Sequence, residues 1–356
     1  MTNSRRTAVL VIASLAVLAI AAAAVLLPRS GASGAQAATG AVSGSSSAPA
    51  SVTLPQAAWK AVPGGDQAIY VLGQTMIGTA SIVRVEGGKA GTPVDVSVGT
   101  NYQLGPTSSV VWGDGSVWLA DGRRVLRIDP ATGSGQHEYE FGAPSESDSG
   151  ALEGAWISGL GVNHDWLVAA FNGQSEIALT DLRQGTSRRI SIPKEFAGAQ
   201  SVALDADGFV YLANAVSHSG SVLAVSPEGT ASVVSSQRAT ALAVGPDGTV
   251  VIPDGTGCQL VRAAKPQQHL EADAAPTACE ADRDSVVAWN VESGRVTVVT
   301  SGARRVVEPT WKPLTVSGPD GSEVRTTAAD LPRVILMTSN GEAWALAGDG
   351  LSLWPV

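Results

Sequence analysis

The apolar positions of this chain fall in short runs separated by turns rich in Gly, Asp and Asn. In VWGDGSVWLADGRRVLRIDPATG, residues 111–133, a first run from Val110 to Trp112 meets Asp114-Gly115, and a second covers Ser116 to Ala120. A third covers Val125 to Ile128, and Asp129-Pro130-Ala131-Thr132-Gly133 turns the chain into a fourth at His137 to Phe141. Asp-Gly favours tight hairpins because Gly accepts positive φ and Asp tolerates left-handed geometry. Four successive antiparallel strands of this kind make one propeller blade.

The unit recurs. SVALDADGFVYLANAVSHSGSVLAVSPEG begins at Ser201, and ALAVGPDGTVVIPDGTGCQLVRA begins at Ala241. First strands are predicted near Ala58, Ser108, Gly154, Gln200, Thr240, Ser285 and Arg333, a spacing of about 45 residues, which suits propeller blades. First-to-second turns recur at Asp205-Ala206-Asp207-Gly208, Pro246-Asp247-Gly248 and Ser339-Asn340-Gly341; third-to-fourth turns recur at 181–185 and 226–229. One blade cannot bury both of its faces alone, so several are written in series. The last unit, VILMTSNGEAWALAGDGLSLWPV, supplies three strands, and SVTL at Ser51 to Leu54 is placed to supply the fourth. Such a clasp removes an exposed sheet edge. The expected fold is all-β, a β-propeller of about seven four-stranded blades with six as the alternative. The ambiguity lies between Gln259 and Pro332, where VVAWNVESGRVTVV reads as first and second strands or as third and fourth.

Ahead of the repeats the pattern changes. Arg5 and Arg6 precede an uncharged apolar run from Ala8 to Leu27, roughly the 20 residues that span a bilayer core. Basic residues on the N-terminal flank hold that flank in the cytoplasm. Residues 1–29 are therefore predicted as one transmembrane signal anchor. A cleaved signal ending near Ala35-Gln36-Ala37 is the rival. In both cases the rest of the chain is exported. Residues 30–50, largely Gly, Ala and Ser, form a flexible tether, and the propeller occupies 51–356.

Composition narrows the partners. A net charge of −9 without a Lys/Arg cluster disfavours nucleic acid, which requires a concentrated basic surface. The two cysteines, Cys258 and Cys279, are expected to pair in an oxidising compartment; two free thiols are the alternative. A pair without matching histidines is too small for a structural zinc site.

At VYLANAVSHSGSVLAVSPEG and VWLADGRRVLRIDPATG the chain resembles NHL and YVTN-type propellers, including their lyase-like and lactonase-like branches. It is also similar to the extracytoplasmic propeller of actinobacterial membrane-anchored proteins that continue into fibronectin type III domains, although this chain stops before any such domain. The resemblance covers most of 51–356 and implies the fold far more than a function. Sialidase-type boxes, the Gly-His to Trp-Asp pattern of WD40 repeats and the quinoprotein tryptophan-docking repeat are not present in the sequence.

Aligned second strands supply the main candidate chemistry. VWLAD ends at Asp121, VAAFN at Asn172, VYLAN at Asn214 and VVIPD at Asp254, whereas blades 1, 6 and 7 place Gly73, Ser301 and Gly348 there. Hard oxygens converging on one face suit Ca²⁺, and the resemblance to lactonase-like propellers implies a metal held by a similar set. The competing reading is that each Asp or Asn opens its own turn by bonding nearby backbone. No cofactor is otherwise expected. Of the four histidines, His218 follows Asn214 most closely and is the candidate acid or base, while His164 neighbours Asp165 in VNHDW. The nine tryptophans suit inter-sheet packing first and a carbohydrate-stacking face second. The sequence favours a non-catalytic binding module whose partner is an envelope protein, a glycan or a small molecule. A metal-dependent lyase or lactonase-like hydrolase is the alternative.

Overall fold

A computed structural model describes residues 51–65, 67–76, 78–98, 109–141, 156–214, 221–245, 247–272, 276–282, 285–290, 296–300, 303–307, 314–317, 323–326, 334–338, 342–346 and 351–356. The anchor and tether expected at 1–50 lie outside these residues. Among those described, no helix is long and apolar enough to cross a membrane.

The strands form seven antiparallel blades. The chain opens with β1 (Val52–Thr53) and enters blade 1 through β2 (Ala58–Pro63), β3 (Ile69–Met76) and β4 (Thr79–Glu86). The outer edge of β4 is shared by β5 (Lys89–Ala90) and β6 (Val94–Ser97). Blade 2 runs β7 (Val110–Gly113), β8 (Ser116–Asp121), β9 (Arg124–Ile128) and β10 (Gly135–Glu140). Blade 3 follows as β11 (Ile157–Val162), β12 (Trp166–Phe171), β13 (Glu176–Asp181) and β14 (Thr186–Ser191). Blade 4 is β15 (Ser201–Leu204), β16 (Val210–Ala213), β17 (Val222–Val225) and β18 (Ala231–Ser235). Blade 5 is β19 (Ala243–Val244), β20 (Val250–Pro253), β21 (Gly257–Arg262) and β22 (Lys265–Glu271). Blade 6 is β23 (Ala278–Asp282), β24 (Ser285–Trp289), β25 (Val296–Thr300) and β26 (Ala303–Val307). A separate hairpin, β27 (Leu314–Ser317) with β28 (Glu323–Thr326), precedes blade 7, which comprises β29 (Val334–Met337), β30 (Ala343–Leu346) and β31 (Ser352–Pro355).

The first strands touch in series, β2 to β7, β11, β15, β19, β23 and β29, and β29 returns to β2. They are therefore the inner wall of a closed ring. The clasp expected at Ser51 to Leu54 is present: Val52 pairs with Leu353 and Thr53 with Ser352, so β1 completes blade 7. Apolar clusters fill the seams between blades. Val52, Leu54, Ala61, Val71, Leu336, Trp344 and Leu353 seal blade 7 onto blade 1. Burying such side chains is worth about 25 cal/mol per Å² of apolar surface, and each blade obtains that burial only from its neighbours. The inner wall is tight where it turns. A Cβ on Gly159 would sit 2.6 Å from the Ala199 carbonyl oxygen and 2.4 Å from a Val202 methyl, so glycine lets β11 approach the start of blade 4.

Asp and Asn shape the turns. Asp205 Oδ1 accepts from the N–H groups of Asp207 and Phe209, Asn163 Oδ1 from those of Asp165 and Trp166, and Asp181 Oδ1 from those of Arg183 and Gln184. Several turns also bolt one blade to the next. Asn163 Nδ2 donates to the Asp205 carbonyl at 2.8 Å, and the Ala263 N–H donates to Asp205 Oδ2 at 2.7 Å. Arg262 grips the Asp207 carboxylate at 2.6 Å and 3.2 Å.

One strand assignment is corrected. The run at Ser285 is the second strand of blade 6, not its first, and VVAWNVESGRVTVV supplies second and third strands. The true first strand is ACEAD, which brings Cys279 onto the inner wall. Cys279 bonds to Cys258 on β21, with Cα atoms 6.2 Å apart, and ties blade 5 to blade 6.

Candidate functional site

The polar positions after the second strands lie beside the segments that carry the chain from one blade to the next. Ile157 N–H donates to the Gly122 carbonyl at 2.8 Å, and Asn172 N–H to the Trp156 carbonyl at 2.8 Å. All these turns thus share one face with the inter-blade connections.

On that face Asp121, Asn214 and Asp254 each bond a different segment. Asp121 is buried and ion-pairs with Arg124 across its own turn. Asn172 is exposed. Asn214 Nδ2 donates to the Ala197 carbonyl at 3.0 Å. Asp254 Oδ1 accepts from the N–H groups of Thr256 and Gly257 and from the Thr256 hydroxyl. Its other oxygen lies 2.9 Å from His269 Nε2. Burial pushes the Asp254 carboxyl up, but the Thr256 bonds and the His269 ring outweigh it and hold the group below the usual carboxylate range. Among the described residues no group of three or more His, Cys, Asp or Glu side chains is placed to hold a metal ion. Asp254 bonds the backbone of its own turn as a turn-former does, whereas Asp121 pairs with a side chain and Asn214 ties its strand end to the connection from blade 3. His218 lies outside the described residues, as do Ser301 and Gly348.

The corrected strand order changes the array itself. Gly73 lies inside β3, which continues to Met76, and Ser301 follows the third strand of blade 6. The residue after the second strand of blade 6 is Asn290. Five consecutive blades, 2 to 6, therefore carry Asp or Asn at the end of the second strand or directly after it: Asp121, Asn172, Asn214, Asp254 and Asn290. Read as a second strand, VVAWN ends as VAAFN and VYLAN do.

His164 belongs to a first-to-second turn. Its Nδ1 is 3.3 Å from Asp114 Oδ1, while Asp165 is 3.9 Å away, and Asp114 also takes Arg127 at 2.9 Å. This exposed charge cluster links blade 2 to blade 3, where ion pairs are worth little individually. The strand tryptophans pack as expected. Trp118 is fully buried with its indole N–H donating to the Gly113 carbonyl at 2.9 Å, and Trp112 stacks on Tyr70 at 4.7 Å. Trp289 and Trp344 are buried, Trp59 and Trp166 pack half-buried against the seams, and Trp354 is half-buried. Trp156 is 49% exposed beside Asn172, and Trp311 lies outside the described residues.

The fold is that of a seven-bladed β-propeller. A chain of the Mitotic Checkpoint Complex is similar at a TM-score of 0.56 and 12% identity, over 93% of this chain and 98% of that one. The Neurospora crassa Pan2 WD40 domain is similar at a TM-score of 0.53 and 11% identity, over 84% and 88% respectively. Virginiamycin B lyase from Staphylococcus aureus aligns at a TM-score of 0.42 and 12% identity, over 83% of this chain and 78% of that one. That score carries no argument about chemistry. No protein-family model and no curated protein matches the chain. At these identities the likeness is one of fold. The propeller stands here without the Gly-His to Trp-Asp signature, because the seams require apolar alternation and tight turns rather than that motif.

Proposed function

We propose that this chain is a membrane-anchored, extracytoplasmic propeller of the NHL/YVTN kind that acts as a non-catalytic binding module at the cell envelope. Its partner is an envelope protein, a glycan or a small molecule. One observation carries the reading: the described carboxylate and carboxamide groups that a metal-dependent reaction would have to gather are engaged with different segments, Asp121 with Arg124 across its turn, Asn214 with the Ala197 carbonyl of the connection from blade 3, and Asp254 with the Thr256 backbone. Among the described residues, the turns at Asn163, Asp181 and Asp205 are held by bonds to their own backbone, a preformed surface suited to recognition. The Cys258–Cys279 bond supports placement outside the cytoplasm, and the apolar run from Ala8 to Leu27 supports the anchor.

The alternative, a metal-dependent lyase or lactonase-like hydrolase, draws on Asp121, Asn172, Asn214, His218 and Asp254. The Asp254–His269 contact is the one described pairing that favours it. Full-length protein extracted from its own membranes separates the two. The binding-module reading expects a carbonate-resistant membrane protein whose C-terminal domain is cut by protease added outside the cell, with substoichiometric metal. Cytosolic protein refutes the placement. Stoichiometric Ca²⁺ or Zn²⁺, with a turnover lost on chelation and in D121A/D254A, establishes the enzyme instead.

A further inference from the structure

The outer edges of the blades are not alike. Each blade ends in a strand whose far side pairs with no other described strand. An edge left open in this way is a template for another chain unless it is short, bulged or charged. β6 carries Asp95, β10 Glu140, β14 Arg188, β22 Lys265 and β26 Arg304. Blade 7 ends in β1, Val52–Thr53, which is too short to serve as a template. β18 of blade 4 has neither guard. From Thr230 to Gln237 the chain holds no charged residue and no proline. Its register with β17 shifts only beyond Val233, where Leu223 pairs with Val233 and Val222 with Ser235.

The ladder fixes which backbone groups face outward. Ser226 N–H donates to the Thr230 carbonyl at 2.8 Å, so these two residues are a hydrogen-bonded pair. Bonded and non-bonded pairs alternate along an antiparallel ladder. Ala231 opposite Val225 is therefore non-bonded, Ser232 opposite Ala224 bonded, and Val233 opposite Leu223 non-bonded. The N–H and C=O groups of Ala231 and Val233 thus point away from β17, onto the open edge. Val233 is the middle residue of β18 and is 58% exposed, whereas Val234 packs on the seam between blades 4 and 5. Among the described strands, β18 packs closely on β17 alone.

Symmetry selects the occupant. When a strand pairs antiparallel with its own copy about a two-fold axis, the same residues meet from both sides. β14 paired in this way about its midpoint would set Arg188 of one copy against Arg189 of the other, and like charges directly opposite are destabilising. β18 centred on Val233 meets no such penalty. Ala231 falls opposite Ser235, Ser232 opposite Val234, and Val233 opposite itself. The two Val233 residues then exchange both of their outward N–H···O=C bonds and bring their exposed methyl groups together. We propose that β18 is a self-association edge, through which two copies of this chain join their fourth blades into one continuous sheet. A single strand pair covers less area than a standard interface, so the dimer is weak and its population follows concentration. The inference does not rest on the binding-module reading, since it holds whatever the faces of the ring bind.

The test is sedimentation equilibrium of full-length protein in detergent across a concentration series, with V233K and V233E beside the parent. Val233 is exposed, so both variants are expected to fold and melt as the parent does. The parent passes from monomer to dimer as concentration rises. Each variant alone sets like charges at the symmetry centre and weakens association by ~10-fold or more. An equimolar mixture of the two sets opposite charges there and recovers a dimer containing one of each, which damage to the fold would not allow. The inference is overturned if the parent stays monomeric up to about 0.5 mM, if V233K alone associates as the parent does, or if the mixture recovers nothing. A monomeric parent that binds an uncharged extended peptide at this edge gives β18 to a different partner and overturns self-pairing as well. Should either variant fail to fold, V233C decides the matter, because Cys258 and Cys279 are bonded to each other and leave it the one free thiol. A short bismaleimide is expected to link two chains through V233C but not through T186C on β14; equal linking at both positions, or none, overturns the inference.

Discussion

Glu280 and Asp205 are both acids in largely apolar surroundings, and the structure treats them in opposite ways. Glu280 has no partner among the described residues and its carboxyl is raised to about 8, against roughly 4.3 for a free glutamate. The folded chain thus holds this proton more tightly than the unfolded chain. The stability it contributes is complete below about pH 4 and is lost as pH rises toward 8, at roughly 1.4 kcal/mol per pH unit. E280Q lacks that slope, so in urea melts at pH 5, 7 and 9 its advantage over the parent should grow with pH; a constant gap contradicts the assignment. Asp205, by contrast, accepts from Asp207, Phe209, the Tyr211 hydroxyl and Ala263. Burial, together with the Asp205 charge, holds the Tyr211 phenol above its ordinary range even though the Ala264 N–H bond opposes this. Asp205→Ala orphans those donors and should cost on the order of 3 kcal/mol in the same melts; a loss under about 1 kcal/mol would show that the network carries little.

At the scale of elements, legibility followed turn chemistry. Blade 2 reads directly from Asp114-Gly115 and the 129–133 turn, and its strands lie within a residue or two of expectation. The third-to-fourth turn of blade 5 is Ala263-Ala264, at φ 48° and 57°, a left-handed pair with none of the Gly or Asn that announces such a turn. It is held by bonds from blade 4, Ala263 N–H to Asp205 and Ala264 N–H to the Tyr211 hydroxyl. A turn stabilised from another blade leaves no local signature in the sequence. Beyond it the sequence pattern points to Ser285 as the first strand of blade 6, where the structure has Ala278–Asp282, and it announces neither the Asn290 position nor the β27–β28 hairpin. Ala263→Gly relieves the strained φ and should raise stability by about 1 kcal/mol; a loss would mean that the alanine methyl packs favourably enough to outweigh the strain. The candidate site was legible as a position but not as a role, because Asp and Asn are the residues used both for turns and for hard cations. The disulfide was legible from composition and spacing. C258S/C279S should lower stability by roughly 3 kcal/mol, the chain-entropy value for a loop of this size, in non-reducing melts against the parent; an unchanged melt would mean that the apolar seam holds blades 5 and 6 without it.

For the whole molecule, stability depends on closure. Every seam needs two blades, and the last is sealed by a strand from the other end of the domain, with Val52 opposite Leu353. Without β1, blade 7 would expose the edge of β31, and the blade 7–blade 1 core would lose Val52 and Leu54. The inner wall, and the shared face of the second-strand turns, exist only while the ring is shut. The most direct measurement is cross-linking at the clasp in full-length protein. In V52C/L353C, air oxidation should produce an intramolecular bond between the two introduced thiols, found by peptide mapping beside an intact Cys258–Cys279 pair in a monomer. If those positions stay free thiols, or link only between chains while the native pair remains closed, the ring does not close as described.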